Sequence, residues 1–271
     1  MRQKFNCLFI LFLLMMNVSI SQQKTPITIG ESFTLASSIL EQERIINVYL
    51  PESYQKDTEK KYPVIYLLDG SLDEDFIHVA GLVQFGSFPW IQMVPESIVV
   101  GIANIDRKHD FTYPTTITKD KKEFPTTGGS AKFIEFIASE LQPHISKNYR
   151  ISTTKTLIGQ SLGGLLATEI LFKKPELFDN YIIVSPSLWW DEESLLSVTP
   201  ETFKQKKSIY IAVGKEGPTM ERVAKELYYK LNIEGEKNYT VDFKFLEKQM
   251  HGDALHLAVY SAFEAIFKKE E

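Results

Sequence analysis

The stretch Leu157-Ile158-Gly159-Gln160-Ser161-Leu162-Gly163-Gly164 constrains this chain more than any other. The run Lys155-Thr156-Leu157-Ile158 reads as a strand, and Leu165-Leu166-Ala167-Thr168-Glu169-Ile170-Leu171 reads as a helix. Only a very tight turn fits between them, with a serine at its apex in strained dihedrals. The positions two residues to either side must be small, because the backbones of strand and helix approach closely there. The bare Gly-x-Ser-x-Gly pattern is weak. The strand before it and the helix after it make Ser161 a candidate nucleophile.

The remaining chain supplies a sheet for that strand. Tyr62-Pro63-Val64-Ile65-Tyr66-Leu67-Leu68 and Glu96 to Ala103 are continuous apolar runs, as strands buried on both faces should be. Further strands are expected at 22–34 (an edge strand), Arg44 to Leu50, Asp179 to Val184, Ser208 to Val213 and Tyr239 to Leu246. Helices are expected at Phe76 to Phe85, Ala131 to Leu141 with Ser130 as N-cap, Met220 to Leu231 and Asp253 to Phe267. The alternation predicts an α/β fold: a mostly parallel central sheet with helices on both faces, in one domain over 22–271. Two long connections, 104–129 and 191–207, are expected to be functional loops. Both are too short for a large cap domain, so an open cleft is expected.

The N-terminus reads as a signal peptide over residues 1–21. Arg2 and Lys4 precede the apolar run Leu8 to Met16, and Ser19-Ile20-Ser21 offers a cleavage site before Gln22. The expected product is exported, periplasmic or secreted, with no membrane attachment after cleavage. Cys7, the one cysteine, would leave with the signal. Disulfides, a cysteine nucleophile and thiolate metal sites are thereby excluded from the mature chain. That chain would carry 28 basic and 35 acidic residues, a net −7 with histidine neutral. No basic run accompanies this balance, which argues against nucleic acid as a partner.

A serine hydroxyl needs a base within hydrogen-bond reach, usually a histidine held by a third group. Of the five histidines, His78 and His144 fall on or near helices and read as structural. His109 lies in the first long connection, as a possible substrate contact, and His256 lies within the last helix. His251 follows the last strand, in Lys248-Gln249-Met250-His251-Gly252-Asp253, and is the leading candidate base, with His256 as runner-up. Glu216, just past the strand that ends at Gly214, leads for the acid. Asp191, Glu192 and Glu221 stay open, as does a Ser-His pair without an acid. The oxyanion donors are expected at Leu162 N–H and at Gly70 or Ser71 N–H, after the Leu67-Leu68 strand. Asp69, Asp73, Glu74 and Asp75 lack the spacing of a calcium loop. No metal or other cofactor is expected. Trp189 and Trp190, together with Phe111 and Tyr113, are candidate stacking surfaces for substrate, with one tryptophan expected in the core.

The segments Tyr62 to Gly70, Val100-Gly101-Ile102-Ala103-Asn104, Gly159 to Gly164, Ser185-Pro186-Ser187-Leu188-Trp189-Trp190 and Met250-His251 together resemble the "putative esterase" family of α/β-hydrolases. That family includes esterase D, feruloyl esterases and siderophore trilactone esterases. The resemblance spans most of the mature chain, in the family order. It implies the α/β-hydrolase fold, with Ser161 as nucleophile, His251 as base and Leu162 N–H in the oxyanion hole. The acid does not transfer, because Gly214-Lys215-Glu216-Gly217 matches no single pattern. The Ser-Pro-Ser-Leu-Trp segment looks like the siderophore-esterase branch, whose members bind catecholate iron with basic residues. Arg107 and Lys108 are the candidates here, set among Asp106, His109 and Asp110. The implied activity is hydrolysis of a small-molecule or glycan-linked carboxylic ester. Acyl transfer to an alcohol on the same scaffold, and a non-catalytic binding module, are the alternatives.

Overall fold

Apolar runs without alternation must be covered on both faces, and the architecture follows from that need. A computed structural model describes residues 24–232 and 238–268; the expected signal peptide over residues 1–21, with Cys7, lies outside the described residues. The strands are β1 (Gly30–Ser37), β2 (Gln42–Tyr49), β3 (Tyr62–Leu67), β4 (Ile98–Ile102), β5 (Ile151–Gln160), β6 (Asn180–Val184), β7 (Lys207–Gly214) and β8 (Tyr239–Leu246). They form one eight-stranded sheet in the order β1-β2-β4-β3-β5-β6-β7-β8. Pairing from β4 through β8 is parallel, and β2 runs antiparallel to both β1 and β4. β4 and β6 are buried at every position.

Seven helices matter to the layers: α1 (Phe76–Gly86), α2 (Arg107–Phe111), α3 (Ser130–Phe136), α4 (Gln142–Asn148), α5 (Leu162–Lys173), α6 (Pro218–Leu231) and α7 (Ala254–Phe267). Phe76, Val79 and Val83 of α1 pack with Ala258 and Phe263 of α7 on one face of the sheet. Phe133, Leu165, Ile170 and Leu227, from α3, α5 and α6, cover the other. Helices thus lie on both faces, and no large cap interrupts the described chain.

Three local expectations shift. The edge strand expected within 22–34 runs from Gly30 to Ser37, overlapping that range at 30–34, because a turn after Ser37 sets its register against β2, with Ser37 opposite Gln42. Glu140 clasps that turn through Ser38 N at 2.9 Å and Ile39 N at 3.2 Å. Ser130 is the first helical residue rather than an N-cap, and its hydroxyl is buried without a partner. The helix expected to end at Leu141 passes through a π-turn at Ile137–Leu141 into α4. Pro143 lies just beyond, with no N–H to return to the preceding turn, so the ladder has to adjust there.

The connection 104–129 is not a free loop. It contains α2 and a short helix at Thr118–Glu123. Arg44 of β2 reaches Asp110 of α2 at 2.7 Å, with side chains only 1% and 2% exposed. The guanidinium also lies over the Phe133 ring, 5.4 Å from its centroid. The two long connections fasten one another as well. Asp191 accepts hydrogen bonds from Thr115 Oγ1 at 2.7 Å and Thr116 N at 2.8 Å. Breaking a buried ion pair from one side leaves a charge without compensation. Arg44→Met is therefore expected to cost about 3–5 kcal/mol, read from the urea midpoint. The double change Arg44→Met with Asp110→Leu should recover most of the loss.

Candidate active site

Parallel strands deliver their C-terminal ends to one edge of the sheet. Strand order reverses at β3, with β4 to one side and β5 to the other, and such a switch point opens a crevice. The residues after β3, β5, β6 and β7, and the turn after β8, line that edge. Three of them carry positive φ without being glycine: Asp69 at 57°, Ser161 at 59° and Ser185 at 44°. Such conformations cost roughly 1–3 kcal/mol each and cluster where a fold holds side chains in fixed directions.

The turn at Ser161 has a direct steric cause. A Cβ at Gly159 would lie 2.4 Å from the carbonyl oxygen of Gly163. Only glycine lets strand β5 and helix α5 come that close. The Ser161 amide donates to Val184 O at 3.0 Å, and Ser161 O accepts from Ser187 N at 3.0 Å. The hydroxyl is thereby held out at the edge, 3.3 Å from Ser187 Oγ. Leu162 N–H, at the first position of α5, has no partner within its helix.

Among the acids open in the sequence, Glu216 is the one whose carboxylate reaches His251. Its Oε2 lies 2.5 Å from His251 Nδ1. Its Oε1 accepts from Ser185 Oγ at 2.5 Å and from Gly214 N at 3.0 Å. The acid is 3% exposed, and the imidazole 48%. Burial alone would raise the Glu216 pKa. The bonds from His251, Ser185 and Gly214 outweigh it and hold the carboxyl below its usual value. Asp191 is bound to Thr115 and Thr116, and Glu221 takes the Gly217 N–H, so neither faces the imidazole. The His251 turn is fixed twice more, by Gln160 Nε2 to His251 O at 2.5 Å and Lys215 N to Gln249 O at 2.7 Å. Ser161, Ser187, Trp189, Lys215, Glu216, Met220, Met250 and His251 line one open cavity of about 480 Å³. His256 instead packs edge-on against His78, and His144 stacks on Phe33.

Known proteins carry the same arrangement of elements. The family model described as "Putative esterase" matches residues 37–254. The chain belongs to this esterase family, of the α/β-hydrolase type. It is 30% identical over 242 residues to the ferri-bacillibactin esterase BesA of Bacillus subtilis (strain 168), covering 81% of this chain and 83% of that protein. Among solved structures, an IroE-like serine hydrolase from Shewanella oneidensis superposes with a TM-score of 0.79 at 30% identity, covering 88% of this chain and 80% of that one. The BES protein from Bacillus cereus superposes with a TM-score of 0.78 at 28% identity, covering 94% and 100%.

The structure decides between the options the sequence left open for Gly70 or Ser71 and for Trp189 or Trp190 in this esterase, and it takes Tyr113 and Arg107 away from the cavity. Gly70 N–H is already committed to Ile102 O at 3.0 Å. A Cβ at Gly70 would lie 2.4 Å from the Gly101 Cα, so this glycine serves the close contact with β4. Ser71 N–H is the other donor of that turn; it donates to Glu74 Oε2 in an exposed bond of 3.4 Å, longer than the Gly70 bond. Trp190 is core: it is 1% exposed, and its indole N–H donates to Tyr113 O at 2.9 Å. Tyr113 is buried beside it, its hydroxyl 3.1 Å from Ser194 Oγ. Trp189 is the tryptophan that reaches the cavity wall. Arg107 is engaged by Asp69, at 2.5 Å (Nε to Oδ1) and 2.9 Å (Nη2 to Oδ2). The acids beside it in sequence serve elsewhere, Asp106 accepting from His109 N and Asp110 pairing with Arg44. Lys108 lies over the Phe124 ring, and His109 Nδ1 is 2.7 Å from Thr126 O. Sequence reasoning passed over Ser185, Lys215, Met220 and Met250. The Ser185-Pro186-Ser187 segment was the available signal for the first, through its resemblance to the family.

Asp75, just before α1, belongs to the turn after β3 that carries Asp69 and Ser71. Burial pushes its pKa up to about 6, with the charges of Asp69 and Glu74 adding to the effect and Arg107 opposing it. Its ordinary value is 3.8. The fold therefore carries a penalty above pH 6 that disappears as the pH falls through 6 toward 3.8. Asp75→Asn is expected to raise Tm by about 2–4 °C at pH 8 and by much less at pH 4.5, measured by calorimetry.

Proposed function

We propose that the chain is an exported serine hydrolase that cleaves carboxylic esters through an acyl-enzyme on Ser161. As a member of its family it is an ester hydrolase; the serine mechanism, the export and the substrate are the proposal. The carrying observation is the Glu216 carboxylate 2.5 Å from His251 Nδ1, in the cavity that also holds Ser161. An acceptor at Nδ1 fixes the tautomer that leaves Nε2 with its lone pair. His251 Nε2 takes the proton of Ser161 Oγ as the oxygen attacks the ester carbonyl. The oxyanion is met by the N–H groups of Leu162 and Ser71. The imidazolium, stabilised by Glu216, passes its proton to the departing alcohol oxygen, and the acyl group stays on Ser161. Water then repeats the sequence: His251 takes one of its protons, the oxygen attacks the acyl carbon, and the proton returns to Ser161 Oγ as the acid leaves.

The substrate we infer is a bulky ester of the siderophore-lactone kind, with a glycan-linked acyl ester as the other member of the class. The likeness to the Bacillus subtilis relative, a ferri-bacillibactin esterase, supports it. So does an open cavity with Trp189, Met220 and Met250 as apolar walls and Lys215 as a cation. Export is supported by Arg2, Lys4 and the apolar run Leu8 to Met16; the N-terminus of the exported protein is then expected at Gln22.

With p-nitrophenyl acetate, Ser161→Ala and His251→Ala are expected to lower kcat by at least about 10⁴-fold. Glu216→Gln is expected to lower it by about 10²–10⁴-fold. Full turnover by Ser161→Ala would refute the mechanism. A panel that pairs a catecholate trilactone with an acetylated oligosaccharide should give its highest kcat/KM with the trilactone. Preference for the oligosaccharide would move the substrate to the glycan side.

A further inference from the structure

The reaction proposed above brings together two turns from different strands. One, after β3, carries Ser71 N–H. The other, after β5, carries Ser161 and Leu162 N–H. No covalent feature fixes the gap between them, yet two oxyanion donors must converge on one oxygen at about 2.7–3.1 Å. Arg107, from the connection after β4, touches both turns. Its Nε and Nη2 hold the two oxygens of Asp69, and Nη2 also donates to Gln160 O at 3.2 Å. Gln160 is the residue before Ser161, and Asp69 stands two before Ser71.

The bracket is reinforced from several sides. Asn104 Nδ2 donates to Asp69 Oδ1 at 2.7 Å. A Cβ built on Gly163 would sit 3.3 Å from Asp69 Oδ2, so the carboxylate packs against the first turn of α5. Asn47 Nδ2 holds Gly70 O at 2.8 Å, and Gly70 N–H is tied to Ile102 O. Asp69 is kept at φ 57°, a conformation that persists only where its surroundings impose it. The ion pair is 33% and 10% exposed, and Arg107 does not line the cavity that holds Ser161 and His251.

We propose that Arg107, through Asp69 and the Gln160 carbonyl, is a positioning residue that sets the spacing of the two oxyanion donors, and is not a cation for substrate. The inference rests on Ser161 being the nucleophile. The planar guanidinium is suited to the task, because its fork matches a carboxylate with two N–H groups and retains a direction for the carbonyl; an ammonium cannot make all three bonds in one plane. A misplacement of about 1 Å in such a site costs about 10²-fold in rate. The loss falls on the transition state, where the oxyanion exists, and not on the bound ester.

The test uses p-nitrophenyl acetate, a neutral ester with no charge for a cation to hold. Arg107→Met is expected to lower kcat by roughly 30–100-fold with KM changed by less than about twofold. Arg107→Lys should recover part of that loss, and Asp69→Asn should mimic it. The double variant Arg107→Met with Asp69→Asn should be little worse than either single change, because the two side chains act as one unit. Thermal unfolding of each variant reports the fold. If Arg107→Met does not fold, Arg107→Lys and Asp69→Asn carry the same comparison. Retained kcat in the folded variants overturns the proposal. So does a rise in KM confined to anionic esters with kcat intact, which would make Arg107 a substrate cation. Stoichiometric labelling of the wild type at Ser161 by a fluorophosphonate is measured first. Failure of that control refutes the serine mechanism itself, separately from the role of Arg107.

Discussion

The contact between Gly159 and the Gly163 carbonyl governs the site. It forces strand β5 and helix α5 together at a distance no side chain permits. The chain between them must then turn through Ser161 at φ 59°, with its hydroxyl at the sheet edge and the first free amide of α5 beside it. The twin close contact between Gly70 and Gly101 does the same for the neighbouring turn. It brings β3 against β4 and so fixes where the turn that carries Ser71 leaves the sheet.

Around these turns the polar groups are arranged in two ionic units. One is Glu216 with His251, in which a carboxylate sheltered by Ser185 and Gly214 faces a half-exposed imidazole. The other is Asp69 with Arg107, which spans the turns after β3 and β5. A third, Arg44 with Asp110, lies deeper and anchors the segment that carries Arg107. Each joins residues far apart in sequence, and each carboxylate is either paired or bonded to backbone N–H groups, as partly buried charges must be. Trp189, Met220 and Met250 add apolar wall to the cavity and Lys215 adds a cation, so Ser161, His251 and Glu216 are held on a rigid edge while the space before them stays accessible.

Much of the fold was legible because its signals are local. The continuous apolar runs of β4 and β6 need both faces covered, and the small residues flanking Ser161 follow from the turn they make. His251 stood out because it alone among the histidines lies between the last strand and the last helix. What escaped the sequence depends on pairing. Gly70 has the position of an oxyanion donor, yet its amide is consumed by Ile102, which only the β3–β4 register reveals. Glu216, Asp191 and Glu221 are equally acidic and similarly placed along the chain. They are separated by whether Thr115, Gly217 or His251 lies opposite. Trp189 and Trp190 are adjacent and chemically identical, and the short helix at Trp190–Glu193 turns only the second into the core. Arg107 sits among acids in sequence but pairs with one 38 positions away. The bounds of β1 shifted because Gly30–Ser37 mixes polar and apolar residues, and its register comes from β2 and Glu140 rather than from its own pattern.

The central claim is that the ester's acyl group passes through Ser161. Rapid-quench mass spectrometry with a slowly deacylating aryl ester tests it most directly. The account predicts a covalent adduct of one acyl group per chain, formed within the first turnover and located on the peptide that contains Ser161. Steady turnover with no adduct, or an adduct on any other residue, would contradict it.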